Sequence, residues 1–345
     1  MTTRFPLRLL ALAASLLATD AARAQSVVNI YSYREPQLIE PLLAKFKEAT
    51  GITPNVVFAP NGLIERMQAE GRNSPVDVLL TNESSLLLQA QDAGVTQAIK
   101  SDALAKAIPA ALRDPDGHWF GLTQRARVIY ASKDRVADTA LRYEDLADPK
   151  YKGKVCIRSG QHPYNVTLIA SMIGALGEEK AEAWLRGVKA NLARKPAGGD
   201  REQVRDVFSG VCDLAIGNTY YMGAMQTNSK APEQQQWANA VKVVFPNAAD
   251  RGSHVNVSGG AVAANAPNAA NAVKLLEYLV SPAAQTFYAD VNHEYPVVAG
   301  AQASERVRSW GPLKADPRPL AEIAKLRKKA SELVDKVGLD AGPGA

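Results

Sequence analysis

The sequence predicts an α/β fold in two lobes, joined by two crossings of the chain with a cleft between them. Strand-like and helix-like segments alternate along the chain, an order that predicts mostly parallel strands packed between helices. One such series ends near residue 80, and a second begins near Lys154. A chain of 345 residues is also long for one hydrophobic core, which favours two lobes.

The first lobe is predicted to open with strands and helices in alternation. The strands are predicted at residues 27–33, 52–58 and 76–80. A helix is predicted at 35–50, where apolar residues recur on one face and Gly51 provides a C-terminal stop. A second helix is predicted to start within 63–68.

Two stretches are predicted to connect the lobes. Strands at 119–123 and 128–131 are joined through the sequence QRAR at 124–127, which is predicted as the first crossing. The apolar segment 242–246 leads to a strand at 254–258 and is predicted as the second. Two such crossings allow lobes to close on a ligand by hinge motion.

These crossings set the predicted lobe boundaries. The N-terminal lobe is predicted to comprise residues 25–124 plus about 250–299, and the C-terminal lobe residues 125–249 plus about 300–345. Later helices are predicted at 265–280 and, as an outer helix, at 320–337.

The N-terminus predicts export. Residues 1–24 begin with basic residues, continue with an apolar run over 9–18 and end in ARA, a pattern typical of a cleaved secretory signal peptide. The run is too short to span a membrane, and no cysteine for lipidation follows it. The predicted location is therefore the periplasm, with an uncleaved anchor as the alternative.

The two cysteines, Cys156 and Cys212, are predicted to form one disulfide. Each lies in an apolar, strand-like segment, and an isolated pair in an exported protein commonly cross-links. The bond would close a loop of more than 50 residues and stabilise the fold by about 2–4 kcal/mol. Two free, buried thiols are the alternative.

Charge and motif content exclude other functions. The formal charge of +5 is spread along the chain without a basic run interleaved with aromatics, so no nucleic-acid partner is predicted. The sequence also lacks G-x-S-x-G, HExxH, P-loop and dinucleotide-binding motifs, so it is not predicted to be an enzyme.

Two adjacent tyrosines, Tyr220 and Tyr221, follow the apolar strand predicted at 211–216. Alternating side chains on a strand could not aim both rings at one target. The preceding Gly-Asn-Thr ends the strand and offers Asn218 or Thr219 as a helix N-cap. Both phenols would then lie near the carboxyl end of the sheet, where open α/β sheets bind ligands. A packing pair, one ring buried and one on the surface, is the alternative.

The outline is that of an exported solute-binding protein, and several motifs together resemble one family. The matching segments are YSYR (31–34), PVDVLL (75–80), WFGLT (119–123), KGKVC (152–156), RSG with YN (158–160 and 164–165), RKP with GGDR (194–196 and 198–201) and GNTYY (217–221). With these segments the chain closely resembles the periplasmic ferric-iron-binding proteins of ABC transporters, the ferric-binding-protein or bacterial-transferrin family.

This resemblance implies a type II periplasmic binding fold whose cleft holds one Fe(III) ion for delivery to a membrane permease. Tyr220 and Tyr221 match the tyrosine pair of the family, and Tyr164 matches a third tyrosine found in one branch. In that branch a small anion, carbonate or bicarbonate, completes the coordination. Arg34 and Arg125 match the arginines that hold the anion, and a monomer is expected.

The chemistry of these side chains agrees with such a site. A phenol has a pKa near 10, so it binds a metal only where the cation displaces its proton, and metal affinity falls as pH falls. Three phenolates would match the charge of Fe(III). Arginine presents a planar fork suited to an oxyanion, and protonation of that anion offers a route for release.

The sequence departs from other branches of the family, which place a histidine near the first strand. Here Glu35 follows Arg34, so a metal ligand from the first lobe is in doubt. Tyr33 is predicted to pack, and His162 to be a surface loop residue. Arg127 is close enough to Arg125 for a register slip to exchange their roles. The alternative function is binding of a small organic or phosphorylated solute, of the polyamine, thiamine or phosphonate type.

Overall fold

The backbone forms mixed sheets between helices, in a computed structural model that describes residues 26–344. The strands are β1 (Val27–Ser32), β2 (Thr53–Phe58), β3 (Val78–Thr81), β4 (Phe120–Ser132), β5 (Val155–Cys156), β6 (Leu214–Asn218), β7 (Val241–Val244), β8 (Val255–Val262) and β9 (Tyr295–Pro296). The predicted signal peptide, residues 1–24, lies outside the described residues.

Helices pack against the strands of both groups. They are α1 (Pro36–Thr50), α2 (Leu63–Glu70), α3 (Ser84–Asp92), α4 (Asp102–Ala107), α5 (Pro163–Leu176), α6 (Glu178–Ala190), α7 (Asp200–Phe208), α8 (Thr219–Gln226), α9 (Pro232–Asn239), α10 (Ala269–Leu279), α11 (Pro282–Asn292), α12 (Glu305–Arg308), α13 (Leu320–Lys325) and α14 (Arg327–Val337). Within residues 26–344, none of them has the length and apolar character needed to cross a membrane.

The strands pair as two groups that share β4. In the first group β1 lies parallel to β2 and β3, and β8 runs antiparallel between β3 and β4. In the second group β4 pairs antiparallel with β6 and β7, while β5 lies parallel to β6. The strand order is β2-β1-β3-β8-β4-β6-β5. This arrangement confirms the predicted α/β class with two lobes and two crossings.

The first crossing is a single strand, whereas two strands joined by a connecting segment were predicted. β4 is continuous through the sequence QRAR. Its residues up to Ala126 pair with β8, and those from Arg127 onward pair with β6. The prediction was wrong because two arginines suggest a solvated loop, yet both side chains are buried against partners from other segments. The lobe boundaries themselves remain predictions, but Arg125, which was predicted to begin the C-terminal lobe, pairs with β8 in the first group of strands and is counted with the first lobe.

The predicted outer helix at 320–337 is two helices, α13 and α14, separated by Leu326. The backbone N–H of Leu326 bonds back to Ile323, a tighter turn that ends α13. α13 contacts α3 of the first lobe as well as α5, whereas α14 contacts α5 and α6. The break therefore lets two short helices pack against different neighbours.

The predicted disulfide between Cys156 and Cys212 is present and confirmed. Their Cα atoms lie 5.9 Å apart across a sequence separation of 56 residues. Both cysteines are buried, and the bond joins β5 to the segment that enters β6. It thus cross-links the part of the second lobe from which the two adjacent tyrosines emerge.

Candidate metal centre

The tyrosine pair lies at the strand-to-helix turn that the sequence predicts. β6 ends at Asn218, which occupies the N-cap position of α8, and Tyr220 and Tyr221 are the second and third residues of that helix. Their ring centroids are 4.3 Å apart with the planes tilted by 32°. The Asn218 side chain accepts a hydrogen bond from Arg127 at 3.2 Å instead of capping the helix.

Tyr164 reaches the same place from a second helix. It is the second residue of α5, after Pro163. Its hydroxyl oxygen lies 3.4 Å from that of Tyr220. The N-cap of α5 is His162, whose Nδ1 accepts the backbone N–H of Tyr164 at 3.2 Å. Two helix N-termini thus bring the three predicted tyrosines together, with His162 as a partly buried cap, not the predicted surface residue.

These tyrosines line a cavity of about 440 Å³ that also has a wall from the first lobe. That wall includes Glu294 and both predicted anion-binding arginines, Arg34 and Arg125. The opposite wall is formed by Tyr164, Tyr220 and Tyr221. Tyr33 lines the cavity too, but its hydroxyl accepts the backbone N–H of Ile64 at 3.0 Å, in keeping with its predicted packing role.

Arg34 is buried, with 3% of its surface exposed. Its Nη1 donates to Ser258 Oγ and, at 3.3 Å, to Glu294 Oε1. Burial opposes the charge on Arg34, but Glu294 more than offsets this and raises its pKa. Within the described part of the chain, Nε and Nη2 of this guanidinium have no hydrogen-bond partner. A buried guanidinium therefore keeps unused donors beside the cavity.

Arg125 shares a partner with Arg34. Its Nη1 donates to Ser258 Oγ at 2.9 Å, and its Nη2 donates to the backbone carbonyl of Asn82. Its Cζ lies 5.6 Å from the ring centroid of Tyr164 and 6.0 Å from that of Tyr220. The single hydroxyl of Ser258 thus accepts from both arginines and holds them side by side.

Arg127, the possible alternative to Arg125, has different partners. It donates to Asp200 Oδ2 at 2.6 Å and to Asn165 Oδ1 at 2.7 Å. Asp200 also accepts from Arg158 at 3.1 Å. Arg127 is not among the residues that line the cavity. The geometry therefore places Arg125 at the cavity and Arg127 in a buried ion cluster behind Tyr164.

Burial raises the pKa of the paired phenols. The pKa of Tyr220 is raised well above 10, first by burial and then by Tyr164 and Tyr221. The pKa of Tyr221 is raised to about 12 by burial, with Tyr164 adding to the effect. Both phenols are therefore neutral near pH 7 unless a cation displaces their protons.

Other kinds of metal site find little support. Residues 26–344 contain no cluster of three or more His, Cys, Asp or Glu side chains that could hold a metal ion. The pKa of His162 is lowered to about 4 by burial and then by Arg158 and Arg127, so its ring is neutral. Glu294, which also lines the cavity, is engaged by Arg34, so the three phenols are the set of potential metal ligands that lie together there.

Sequence reasoning missed Glu294, Ser258 and Asp200. Glu294 meets Arg34 across 260 residues, and Ser258 meets it across 224. Neither residue lies in a motif. Asp200 begins α7 within a matched family segment, so its position could have been singled out, but its role as an acceptor for two arginines depends on tertiary contacts.

Comparisons with known proteins show which family this chain belongs to. Residues 73–315 match the family of bacterial extracellular solute-binding proteins. Iron uptake protein A1 of Synechocystis is 44% identical over 321 residues, which cover 92% of this chain and 89% of that protein. A Bordetella ferric binding protein has a TM-score of 0.88 at 56% identity, with 91% of this chain and 100% of that one covered.

A Trichodesmium protein solved in complex with iron and citrate has a TM-score of 0.88 at 43% identity, covering 91% of this chain and 100% of that chain. These findings confirm the resemblance drawn from the sequence motifs, the type II periplasmic binding fold and the periplasmic location. They also favour the ferric-iron interpretation over an organic solute. The chain belongs to the bacterial extracellular solute-binding protein family, a family of transport proteins, and within it to the periplasmic ferric-iron-binding proteins.

Proposed function

We propose that this protein captures Fe(III) with the phenolates of Tyr164, Tyr220 and Tyr221 together with a small anion, and delivers it to the permease of an ABC transporter. The observation that carries the proposal is the convergence of these phenols, from two helices, on a cavity whose opposite wall contains Arg34 and Arg125.

The second-lobe wall suits a hard, highly charged cation. Phenolate is a hard oxygen donor, and three phenolates offset the charge of Fe(III). All three tyrosines lie in the first turn of α5 or α8, where the positive end of the helix dipole favours a developing negative charge. Arg125, Arg127 and Arg158 each place Cζ within 6 Å of the Tyr164 ring centroid, which adds positive charge around a phenolate.

The first-lobe wall suits the anion. Arg34 and Arg125 both line the cavity, and within the described residues each keeps at least one N–H donor without a partner. A carbonate or bicarbonate ion could accept these N–H groups and still offer oxygen atoms to the metal. Citrate, present in the Trichodesmium structure, has carboxylate oxygens that can accept from the same arginines and bind the metal. The test of the anion therefore compares citrate with bicarbonate.

Release follows from the same chemistry. The phenols lose protons when iron binds and regain them as pH falls, because their pKa values without metal are raised. Iron retention is therefore complete at higher pH and is lost on acidification. Protonation of the anion acts in the same direction. Release to the permease then requires no change in the oxidation state of the protein.

The test is a visible absorption titration of the mature protein with ferric citrate, with and without bicarbonate. A saturable phenolate-to-iron charge-transfer band at one iron per chain is expected. Tyr220→Phe and Tyr221→Phe should each weaken iron binding at least about a hundredfold, since each removes one charged ligand. Tyr278→Phe is the matched control, because that ring packs against Phe46 away from the cavity.

Unchanged iron affinity in both Tyr220→Phe and Tyr221→Phe would exclude this ligand set. Absence of any band, with no change in thermal stability on adding iron, would instead favour an organic solute. Loss of the band in the Tyr278→Phe control would indicate general damage to the fold. Sedimentation of the iron-loaded protein would test the expected monomer.

A further inference from the structure

His293 has an unusual backbone conformation at the end of α11. Its φ angle is +55°, in the left-handed region, which is uncommon for a residue other than glycine. It ends α11, and its backbone N–H bonds back to Ala289 at 3.1 Å. The side chain is 9% exposed. This conformation turns the chain sharply and aims the imidazole ring away from its own helix.

The ring packs directly against the helix that carries the tyrosine pair. Gly223 lies two residues after Tyr221 in α8. A β-carbon added at Gly223 would overlap Cγ of His293 and lie 2.6 Å from its Cβ and Cδ2. His293 Nε2 is also 3.4 Å from the hydroxyl of Thr227, the residue that caps the C-terminus of α8. The absence of a side chain at Gly223 is what allows the two segments to meet.

This contact connects the two groups of strands. α11 is held to α1 by the bond from Asn292 Nδ2 to the carbonyl of Leu38, at 3.0 Å. After His293 the chain enters β9, which pairs with the first half of β4. α8, by contrast, follows β6 in the second group. The imidazole is therefore a first-lobe group seated on a second-lobe helix.

The same contact separates two cavities. His293 and Thr227 line both the 440 Å³ cavity of the candidate metal centre and a neighbouring one of about 560 Å³. The second cavity is lined further by polar residues of α8, α11 and α12, among them Gln226 and Arg306. A gap between His293 and α8 would join the two cavities and admit water to the tyrosines from behind.

The next residue, Glu294, reaches the anion-binding wall. Its carboxylate accepts from Arg34 Nη1 at 3.3 Å and from the Thr123 hydroxyl. Any displacement of His293 relative to α8 is thus passed by one peptide unit to the ion pair that holds Arg34. The proposed metal ligands and anion ligands come from different lobes. The dipeptide His293-Glu294 contacts both, because His293 packs on α8 and Glu294 binds Arg34.

We propose that His293 is a positioning residue that couples the two halves of the site. Its ring, seated on Gly223, sets the spacing between α8 and Arg34, so that iron on the tyrosines and the anion on the arginines bind jointly. This inference rests on the proposed iron-binding function, and it assigns a role to a contact that is outside the ligand set.

The test uses a size exchange between the two positions. Gly223→Ala adds a methyl group where the imidazole lies. His293→Gly removes every atom that the methyl would overlap, and glycine accepts the left-handed backbone. The double variant G223A/H293G therefore restores space. Gly174→Ala is the matched control, because the atoms nearest to its β-carbon would be those of the flexible Arg318 side chain, at 3.2 Å, and Gly174 lies ten residues along α5 from Tyr164.

The measurement is the rate at which iron-loaded protein loses its charge-transfer band to excess EDTA, in bicarbonate and in citrate. G223A should release iron about tenfold faster in bicarbonate, since overpacking separates the walls. The double variant should return to within about threefold of the unmodified protein. H293G alone should release iron faster and depend less on bicarbonate. Thermal unfolding of the iron-free proteins shows whether each variant folds.

The inference is overturned if the double variant releases iron as fast as G223A, or if G223A releases iron at the unmodified rate. If G223A does not fold, the H293G variant provides the test. An unchanged rate of iron release together with an unchanged dependence on bicarbonate would then overturn the inference. If the unmodified protein shows no iron band, the proposed function itself is wrong. That result differs from finding that the protein binds iron but that Gly223 and His293 show no coupling.

Discussion

The two walls of the cleft contain the same kinds of charge but use them differently. Behind the tyrosines, Asp200 accepts from both Arg127 and Arg158, at 2.6 and 3.1 Å. Opposite them, Glu294 accepts from one arginine, Arg34, at 3.3 Å, and from the Thr123 hydroxyl. Among residues 26–344, Arg125 donates to a hydroxyl and to a backbone carbonyl, not to a carboxylate. Two arginines and one carboxylate thus form a closed cluster on one side and an open one on the other.

The difference between the walls indicates that the two clusters have different roles. The closed cluster lies behind the tyrosine rings, and Asp200 also accepts the backbone N–H of Asn218 at the start of α8. Its charges therefore hold the helices that carry the phenols. Among the described residues, both clusters keep guanidinium N–H groups without partners, but Arg34 and Arg125 line the cavity whereas Arg127 and Arg158 do not. Donors next to the cavity gain most from an anion. We infer that the closed cluster supports the tyrosine wall and that the open cluster binds the anion.

The largest expected effect is on stability, from Asp200→Asn. This change leaves two arginines without a carboxylate in a buried setting, which should lower the free energy of unfolding by about 3–5 kcal/mol. Urea unfolding of the iron-free protein measures it, with the exposed Asp134→Asn as control. Bicarbonate dependence of iron binding should persist. A loss no greater than that of the control would show that the closed cluster does not support the tyrosine wall.

Arg34→Ala tests the open cluster. Iron should be released about tenfold to a hundredfold faster in bicarbonate, because charge-assisted hydrogen bonds to the anion are lost. Release in citrate, whose several carboxylates offer the metal more ligands, should change less. Arg186→Ala, which removes a surface arginine with a 52% exposed side chain, is the control. An effect of equal size in both anions would contradict the role assigned to Arg34.

The local parts of the site could be predicted from the sequence. A strand followed by Gly-Asn-Thr and two tyrosines is a contiguous pattern, and it correctly placed Tyr220 and Tyr221 in the first turn of a helix. The proximity of Tyr164 came only from family resemblance, because 56 residues separate it from Tyr220. Contiguous patterns determine local turns, whereas meeting points between helices depend on the packing of the whole lobe.

The buried charges could not be predicted in the same way. Arg125 and Arg127 alternate with small and apolar residues on β4, and an isolated arginine on a strand gives no sign of its partner. Their acceptors lie between 38 and 133 residues away. The error of splitting β4 into two strands has the same origin, since polar residues suggest a loop until their distant partners are known.

The smallest expected effect is that of Glu294→Gln, which tests the difference between the open and the closed cluster most closely. The substitution keeps the shape of the side chain and an acceptor for Arg34, but it removes the charge that competes with an incoming anion. Bicarbonate should therefore bind about threefold to tenfold more tightly, while the iron-free protein loses about 1–3 kcal/mol of stability. A bicarbonate titration of the charge-transfer band at fixed iron measures the first effect, and urea unfolding measures the second.

Glu294→Gln and Asp200→Asn each remove the charge of one buried carboxylate, but at opposite walls of the cleft. If both changes left bicarbonate affinity unchanged, the open cluster would not be the anion site. If Asp200→Asn tightened bicarbonate binding as much as Glu294→Gln, the net charge of the cleft, not the unpaired donors of one wall, would control the anion.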